Sequence, residues 1–513
     1  MQFVRIVLAV VGVVLAAWVL GRLMFPVPDT EGRPVQTAIP FDPTTTFGPR
    51  AVEAAAAHPG QSGIIPLAQG VEALRARLLM ANRAERSLDV MYYIWHDDIS
   101  GMLLLDALRR ASERGVRVRL LLDDNGIHGM DAMLAALDRL PDFDIRLFNP
   151  STVRNPKMLG YVLMPLRMNR RMHNKAFIVD GAVAIVGGRN VGDAYFSVGD
   201  VPSYLDLDVI GTGRVVTDTA RIFDAYWNSG PVLALDRVIE GPGDRAAFEA
   251  GLRAAQQSPD GQVILSDGPN PAARLFDAIP PLEWTQVQVV ADDPAKGLGQ
   301  VQRDQLMVSR LGEILGRVDR QLDLLSAYFV PGTAGTRFFS DLARRGVQVN
   351  IMTNAWVATD VPMVHAGYTK YRRELLEAGV SLYELRPIAG HVQGPQELSG
   401  LGTSGSSLHA KTFTVDQSRV FIGSFNFDPR SALLNCEMGF MIDSPNLGRA
   451  GAESLLDRLS LRSYRPMLRD GDMVWQGQGP HGQPQIWPHE PGLGIWDRVA
   501  VYVLNVLPIE WLL

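Results

Sequence analysis

Cysteine is nearly absent: Cys436 is the only one in 513 residues. One thiol excludes an internal disulfide and a thiolate metal cluster. An excess of basic charge is missing too. The formal net charge is −6, which argues against a strongly basic nucleic-acid binder without excluding a local basic patch. What is present suits burial: hydrophobic residues make up 47% and charged residues 20%, the balance of a chain with a large core. The length exceeds one ordinary core, so two domains or one duplicated domain are expected.

The N-terminus is not globular in pattern. An uncharged run, Ile6 to Gly21, lies between Arg5 and Arg22. Extended through "RLMFP", it approaches the roughly 20 residues of a spanning helix. It reads as a retained transmembrane anchor or a signal segment, with no small-x-small cleavage site before Pro26. Arg5 and the free amine favour an inside N-terminus and a periplasmic body, a bias that Arg22 nearly cancels. A Pro/Thr-rich tether follows. The C-terminal "GIWDRVAVYVLNVLPIEWLL" reads either as an interfacial helix on a bilayer or as a terminal helix docked on the body.

The chain repeats itself. "RRMHNKAFIVD" ends at Asp180 and "SSLHAKTFTVD" at Asp416. Each is preceded by strand, helix, strand and strand patterns; "ERGVRVRLLLDD" and "RRGVQVNIMTN" read as the same unit. Ser100 is a candidate N-cap for the first helix. Strands alternating with helices predict α/β halves, each a mostly parallel sheet between helices, related by a pseudo-twofold. The expected division is 1–27 anchor or signal, 28–60 tether, 61–235 first domain, 236–286 connection, 287–468 second domain and 469–513 tail.

His173 and Lys175, like His409 and Lys411, are two residues apart and would share a face if on a strand. Asn190 follows His173 by 17 residues, and Asn426 follows His409 by 17. A lone histidine in an apolar strand is usually a core residue. Two matched histidine–lysine pairs are harder to explain by packing, because a buried ammonium is costly. Two lysines and two asparagine amides on one pocket would bind a phosphate and stabilise five-coordinate phosphorus. One neutral imidazole would attack phosphorus. The other, protonated, would donate to the leaving alkoxide and then act as base. This is phosphodiester exchange, which needs neither metal nor other cofactor.

"HNKAFIVD…GGRN" and "HAKTFTVD…GSFN" resemble the two HxKxxxxD motifs of the phospholipase D superfamily. "HPGQSGIIPL", "LDVMYYIWHDD", "GVRVRLLLDDN", "MNRRMHNK" and the ending "LPIEWLL" narrow the resemblance to the C-type branch of bacterial cardiolipin synthases. It covers the chain from about His58 onward and implies two phospholipase D-like α/β/α sandwich halves. It also implies a catalytic set of His173, Lys175, Asp180, His409, Lys411 and Asp416, with His173 as nucleophile and His409 as acid and base. Asn190, Asn426 and Ser424 would contact phosphate, although Gly188 stands where the second copy has Ser424. Asp206, with Asp208 as fallback, and Glu437 would orient the histidines. Asp180 and Asp416 would be structural, pairing with basic groups away from the pocket.

Other residues carry two readings each. Arg167, Arg170 and Arg171 would bind an anionic headgroup or form a solvated loop. Tyr92, Tyr93 and Trp95 read as core and pocket wall. Asp123, Asp124 and Asn125 sit where ligands gather, or cap a helix. The implied activity is a phosphatidyltransferase making cardiolipin from phosphatidylglycerol and a second phospholipid at the bacterial inner membrane. A phospholipase D releasing phosphatidic acid is the alternative, and a nuclease the second. Phospholipids in a bilayer are the expected partners, without nucleic acid; an accessory protein stays open.

Overall fold

The computed structural model describes all residues except 1–11, 13–14, 49–55, 267, 269–271, 273–281, 388–406, 480–481 and 507–513. Strands are numbered in chain order. The first half contributes β1 (Ser62–Leu67), β2 (Ser87–Ile94), β3 (Arg117–Gly126), β4 (Phe143–Phe148), β5 (Ala176–Val179), β6 (Val183–Gly187), β7 (Tyr204–Leu205), β8 (Asp208–Gly213) and β9 (Val232–Ala234). After β10 (Glu283–Thr285) come β11 (Val287–Ala291), β12 (Gln321–Ser326), β13 (Gln348–Asn354), β14 (Ser381–Leu385), β15 (Ser407–Leu408), β16 (Lys411–Val415), β17 (Arg419–Gly423) and β18 (Met438–Asp443). Finally come β19 (Ser463–Arg469), β20 (Asp472–Gln478) and β21 (Pro484–Trp487).

Two large sheets form. The first runs β10-β1-β8-β6-β5-β2-β3-β4-β9 and the second β11-β18-β17-β16-β12-β13-β14-β19-β20-β21. The block β8-β6-β5-β2-β3-β4 matches β18-β17-β16-β12-β13-β14 strand for strand, so the duplication is structural as well as sequential.

The sheets are less parallel than expected. β2, β3 and β4 are parallel, as are β12, β13 and β14. The motif strands β5, β6 and β8, and their counterparts β16, β17 and β18, are antiparallel. The cause is local. Short turns join β5 to β6 and β16 to β17, with positive φ at Asp180, Gly181, Asp416 and Gln417. Such tight connections permit only antiparallel pairing.

Period-two alternation builds the layers. On β6, Val183 and Ile185 face the outer core with the helices Gly70–Arg83 and Ile99–Glu113, while Ala184 and Val186 face the second sheet. On β17, Val420 and Ile422 join that central core, and Phe421 turns to the outer core of the second half. The two sheets therefore share one apolar layer, with the helix Arg214–Trp227 in it.

Several expectations shift. Asp98, not Ser100, caps the helix Ile99–Glu113, accepting from Gly101 N at 3.1 Å, while Ser100 Oγ donates to Asp193. The described part of the tether is bound rather than free: Ala38 N donates to Asp224 and Trp227 Nε1 to Gln36. The second sheet continues past 468 to Trp487. The C-terminal helix Ile495–Val506 docks on the body, with Val501 buried and Asn505 Nδ2 on Thr369, yet leaves Ile495, Trp496 and Tyr502 exposed. Half of the run Ile6–Gly21 and the final "LPIEWLL" lie outside the described residues. Among those described, residues 15–24 are helical, and no helix is long and apolar enough to cross a membrane.

Candidate active site

The two motifs meet where the halves cross. His173 does not lie within a strand; it precedes β5, and its N donates to Cys436 O at 2.9 Å while Cys436 N donates to Arg171 O. His409 sits between β15 and β16, and its N donates to Leu205 O at 2.8 Å. β15 pairs with β7 across the halves. Each histidine is thus held by backbone from the opposite half.

The orienting carboxylates cross as well. His173 Nδ1 lies 2.8 Å from Glu437 Oε2 and 3.0 Å from Ser424 O. A carbonyl oxygen only accepts, so Nδ1 carries the proton and a neutral ring keeps its lone pair on Nε2. His409 Nδ1 lies 2.5 Å from Asp206 Oδ2. The fallback Asp208 is engaged elsewhere, pairing with Arg77 at 2.8 Å and Arg189 at 3.4 Å. Both histidines are 7% exposed, so only a ring edge reaches the pocket.

Burial is the largest influence on this site, and it disfavours charge. It drives His173 well below the ordinary imidazole value, aided by Lys175 and Lys411. His409 falls to about 4, through burial and Lys411, against the pull of Asp206. The two carboxylates diverge. Burial lifts Glu437 to about 7. The charge of His409 and its hydrogen bond, with Lys411 behind them, overcome burial and hold Asp206 well below the usual carboxylate range. Burial lowers Lys411 to about 8 and holds Lys175 well below the ordinary lysine value. Lys175 Nζ donates to His173 O at 2.6 Å, and Lys411 Nζ to His409 O, so each lysine also fixes its own histidine.

Asn190 and Asn426 are buried, with Asn190 Nδ2 and Asn426 Oδ1 left without a hydrogen-bond partner. Ser424 differs from expectation: its Oγ donates to Glu437 Oε2 at 2.5 Å, so its proton goes to the carboxylate. Gly188 has a matching reason. A Cβ there would fall 2.1 Å from Asp206 Oδ1. Asp180 and Asp416 stand apart from the histidines. Asp180 accepts from the backbone of Glu85, Arg86 and Ser87, and Asp416 from Asp319, Arg320 and Gln321. They pin the motif strand to the turn before β2 or β12; their partners are backbone N–H groups rather than the basic side chains expected.

Aromatic walls complete the pocket. Tyr93 meets His173 edge-on at 5.0 Å. Tyr195 and Tyr204 flank His409 at 5.1 and 5.0 Å. Tyr92 and Trp95 are core, as read. Arg171 is neither a headgroup ligand nor solvated: it is buried on Asp123 at 3.0 Å, whose other oxygen accepts from Met172 N. Asp124 binds Arg154 and Lys157. Sequence reading missed Tyr195, Tyr204 and Asp292, which accepts from Glu437 N at 3.1 Å and from Lys296 Nζ at 2.7 Å. No motif marks them; they reach the site only through the fold.

The family "Cardiolipin synthase, PLD-like domain" matches residues 78–227 and 312–455, one segment in each half. The chain is 44% identical over 466 residues to cardiolipin synthase C of Escherichia coli (strain K12), spanning 89% of this chain and 97% of that one. It is 26% identical over 379 residues to cardiolipin synthase 2 of Staphylococcus epidermidis, covering 74% of this chain and 64% of the other. The crystal structure of phosphatidylserine synthase from Haemophilus influenzae Rd KW20 superposes with a TM-score of 0.56 over 90% of this chain and all of that one; at 14% identity this bears on the fold alone. With both motifs whole, both halves matched and a 44% identical relative aligned nearly end to end, the chain belongs to the phospholipase D-like cardiolipin synthase family.

Proposed function

We propose that the protein is a phosphatidyltransferase of the bacterial inner membrane that makes cardiolipin through a phosphatidyl-histidine intermediate. The observation that carries this reading is the crossed pair His173–Glu437 and His409–Asp206, which ties both imidazoles at Nδ1 and leaves two Nε2 atoms for one phosphodiester.

The divergent carboxylates support a division of labour. His173, held neutral, attacks phosphorus through Nε2; the P–O bond to the headgroup alcohol breaks. His409 donates its Nε2 proton to the leaving oxygen. A bound diester anion favours the imidazolium, and ionised Asp206 stabilises it. Lys175, Lys411 and the amides of Asn190 and Asn426 hold the equatorial oxygens. A hydroxyl of the second lipid then gives its proton to His409 and attacks phosphorus, and the P–N bond to His173 breaks. With phosphatidylglycerol as donor and acceptor, the products are cardiolipin and glycerol.

The test is product analysis. Purified full-length protein is incubated with phosphatidylglycerol vesicles, with and without phosphatidylethanolamine, and lipids are identified by mass spectrometry. Cardiolipin that disappears in His173→Ala is expected. Phosphatidic acid alone would replace the transferase reading with a hydrolase.

A further inference from the structure

One apolar surface beside His173 belongs neither to the core nor to the motifs. The short helices Leu159–Leu163 and Pro165–Met168 form a hairpin just before the first motif. Its inner side packs Val153, Leu163, Met164 and Met168 into a small core with Trp18 and Tyr161 against it. Its outer side exposes Met158 at 72%, Val162 at 64% and Leu166 at 69%.

Residues 15–24 lie against this hairpin. Trp18 Nε1 donates to Val162 O at 3.1 Å, and Thr152 Oγ1 donates to Phe25 O at 2.9 Å. Gly21 makes the close approach: a Cβ there would meet Leu163 Cδ2 at 2.7 Å. Leu20, Leu23 and Met24 point away from the body, 58 to 72% exposed. Two segments about 140 residues apart in sequence thereby build one apolar face. Its rim has the composition of a membrane interface, with Arg22 over the Trp18 ring at 5.0 Å and Tyr161 half-buried.

The face is linked to the site. Tyr161 OH donates to Asn125 Oδ1 at 2.7 Å; the Tyr93 hydroxyl lies near Asn125, and the Tyr93 ring lies against His173. We infer that the outer face of the hairpin 158–168, together with residues 15–24, docks on the bilayer and sets the His173 mouth at headgroup depth. Three observations favour lipid as the occupant. The uncharged run Ile6–Gly21 leads directly into this face. Its apolar side chains project outward beside a tryptophan and an arginine, as in interfacial helices. It also adjoins the pocket that, on the reading above, takes a lipid phosphodiester; the inference rests on that reading for this last point only.

The lone, buried Cys436 makes the test clean, because burial pushes its thiol up to about 12 and leaves it unreactive. Full-length Val162→Cys is labelled with bimane and reconstituted in vesicles of phosphatidylglycerol and phosphatidylethanolamine, with and without doxyl-labelled lipid. A label at Val357, exposed on the second half, is the control. Lipid-borne doxyl is expected to quench the Val162 label at least about twofold, and the Val357 label hardly at all, if an interfacial face sits roughly 5–10 Å into the headgroup boundary. Equal quenching at both sites overturns the inference. So does Val162–Val162 crosslinking without quenching, which would make a second copy the occupant. Neither readout depends on turnover. Quenching without cardiolipin would sustain the docking face and sink the transferase reading; cardiolipin without quenching would do the reverse.

Discussion

Glu437, on the second half, holds His173 of the first at 2.8 Å, and burial lifts this carboxyl to about 7. Its counterpart Asp206 crosses the other way to His409 and stays ionised. Each half therefore supplies a histidine that only the other half can orient. Glu437→Gln would aim an amide donor at Nδ1 and disturb the tautomer. We expect kcat to fall roughly 10²–10⁴-fold with KM little changed. Rapid-quench measurement of phosphatidyl-enzyme formation checks it; an unchanged burst would remove Glu437 from a positioning role.

The histidines should titrate low. Burial and the lysines hold both below the ordinary imidazole value of 6.5. The acid limb of kcat/KM is therefore expected below that pH. Lys411→Met removes a positive charge that depresses both rings, so both should titrate higher. NMR titration of ¹⁵N-histidine reads this without turnover; a downward or absent shift would contradict the electrostatic account.

Gly188 is required by the carboxylate beside it. Gly188→Ala places a methyl 2.1 Å from Asp206 Oδ1, so the carboxylate must move off His409. Activity should drop on the order of 10²-fold while the protein remains folded. Ser424→Gly removes one hydrogen bond to Glu437 and should be milder. If the reverse order emerged in paired kinetic assays, the packing argument would fail.

Asp180 belongs to the scaffold. Its carboxylate accepts three backbone N–H groups. Asp180→Asn should destabilise the protein by about 1–3 kcal/mol in chemical denaturation, with kcat retained by the folded fraction. Asp416→Asn should cost less, because its site is more exposed. A kcat collapse at full stability would return Asp180 to the chemistry.

The C-terminal segment is clipped by charge. Glu490 binds His365 at 2.5 Å and Arg372 at 2.9 Å, and against the push of burial these partners hold it down to about 2 from 4.5. A depressed carboxyl stabilises above its unfolded value, and that stability is lost as pH falls from 4.5 through about 2. Glu490→Gln should cost about 2–3 kcal/mol at pH 7, with the deficit closing on acidification. Denaturation curves at pH 7 and pH 3 test the sign.

Much of the site was legible because the duplication is written twice in the chain. His173, Lys175 and Asn190 recur as His409, Lys411 and Asn426 at equal spacing, and a matched polar set in apolar surroundings has few structural explanations. The glycine–serine difference between the copies was visible too, but not its meaning, since Gly188 and Ser424 answer to carboxylates many residues away.

By itself the sequence determined two α/β units, the paired motifs, a phosphodiester chemistry and a family. It did so through periodicity and repetition, which are local properties of a chain. Only the tertiary structure decided that the motif strands run antiparallel, that His173 takes its carboxylate from Glu437 and His409 from Asp206, and that Asp180 and Asp416 cap backbone. Only it placed Tyr204 on His409 and residues 15–24 on the hairpin at Val162. Those relationships join residues far apart in sequence, and they follow from two sheets closing on one shared apolar layer, where burial sets which groups carry charge.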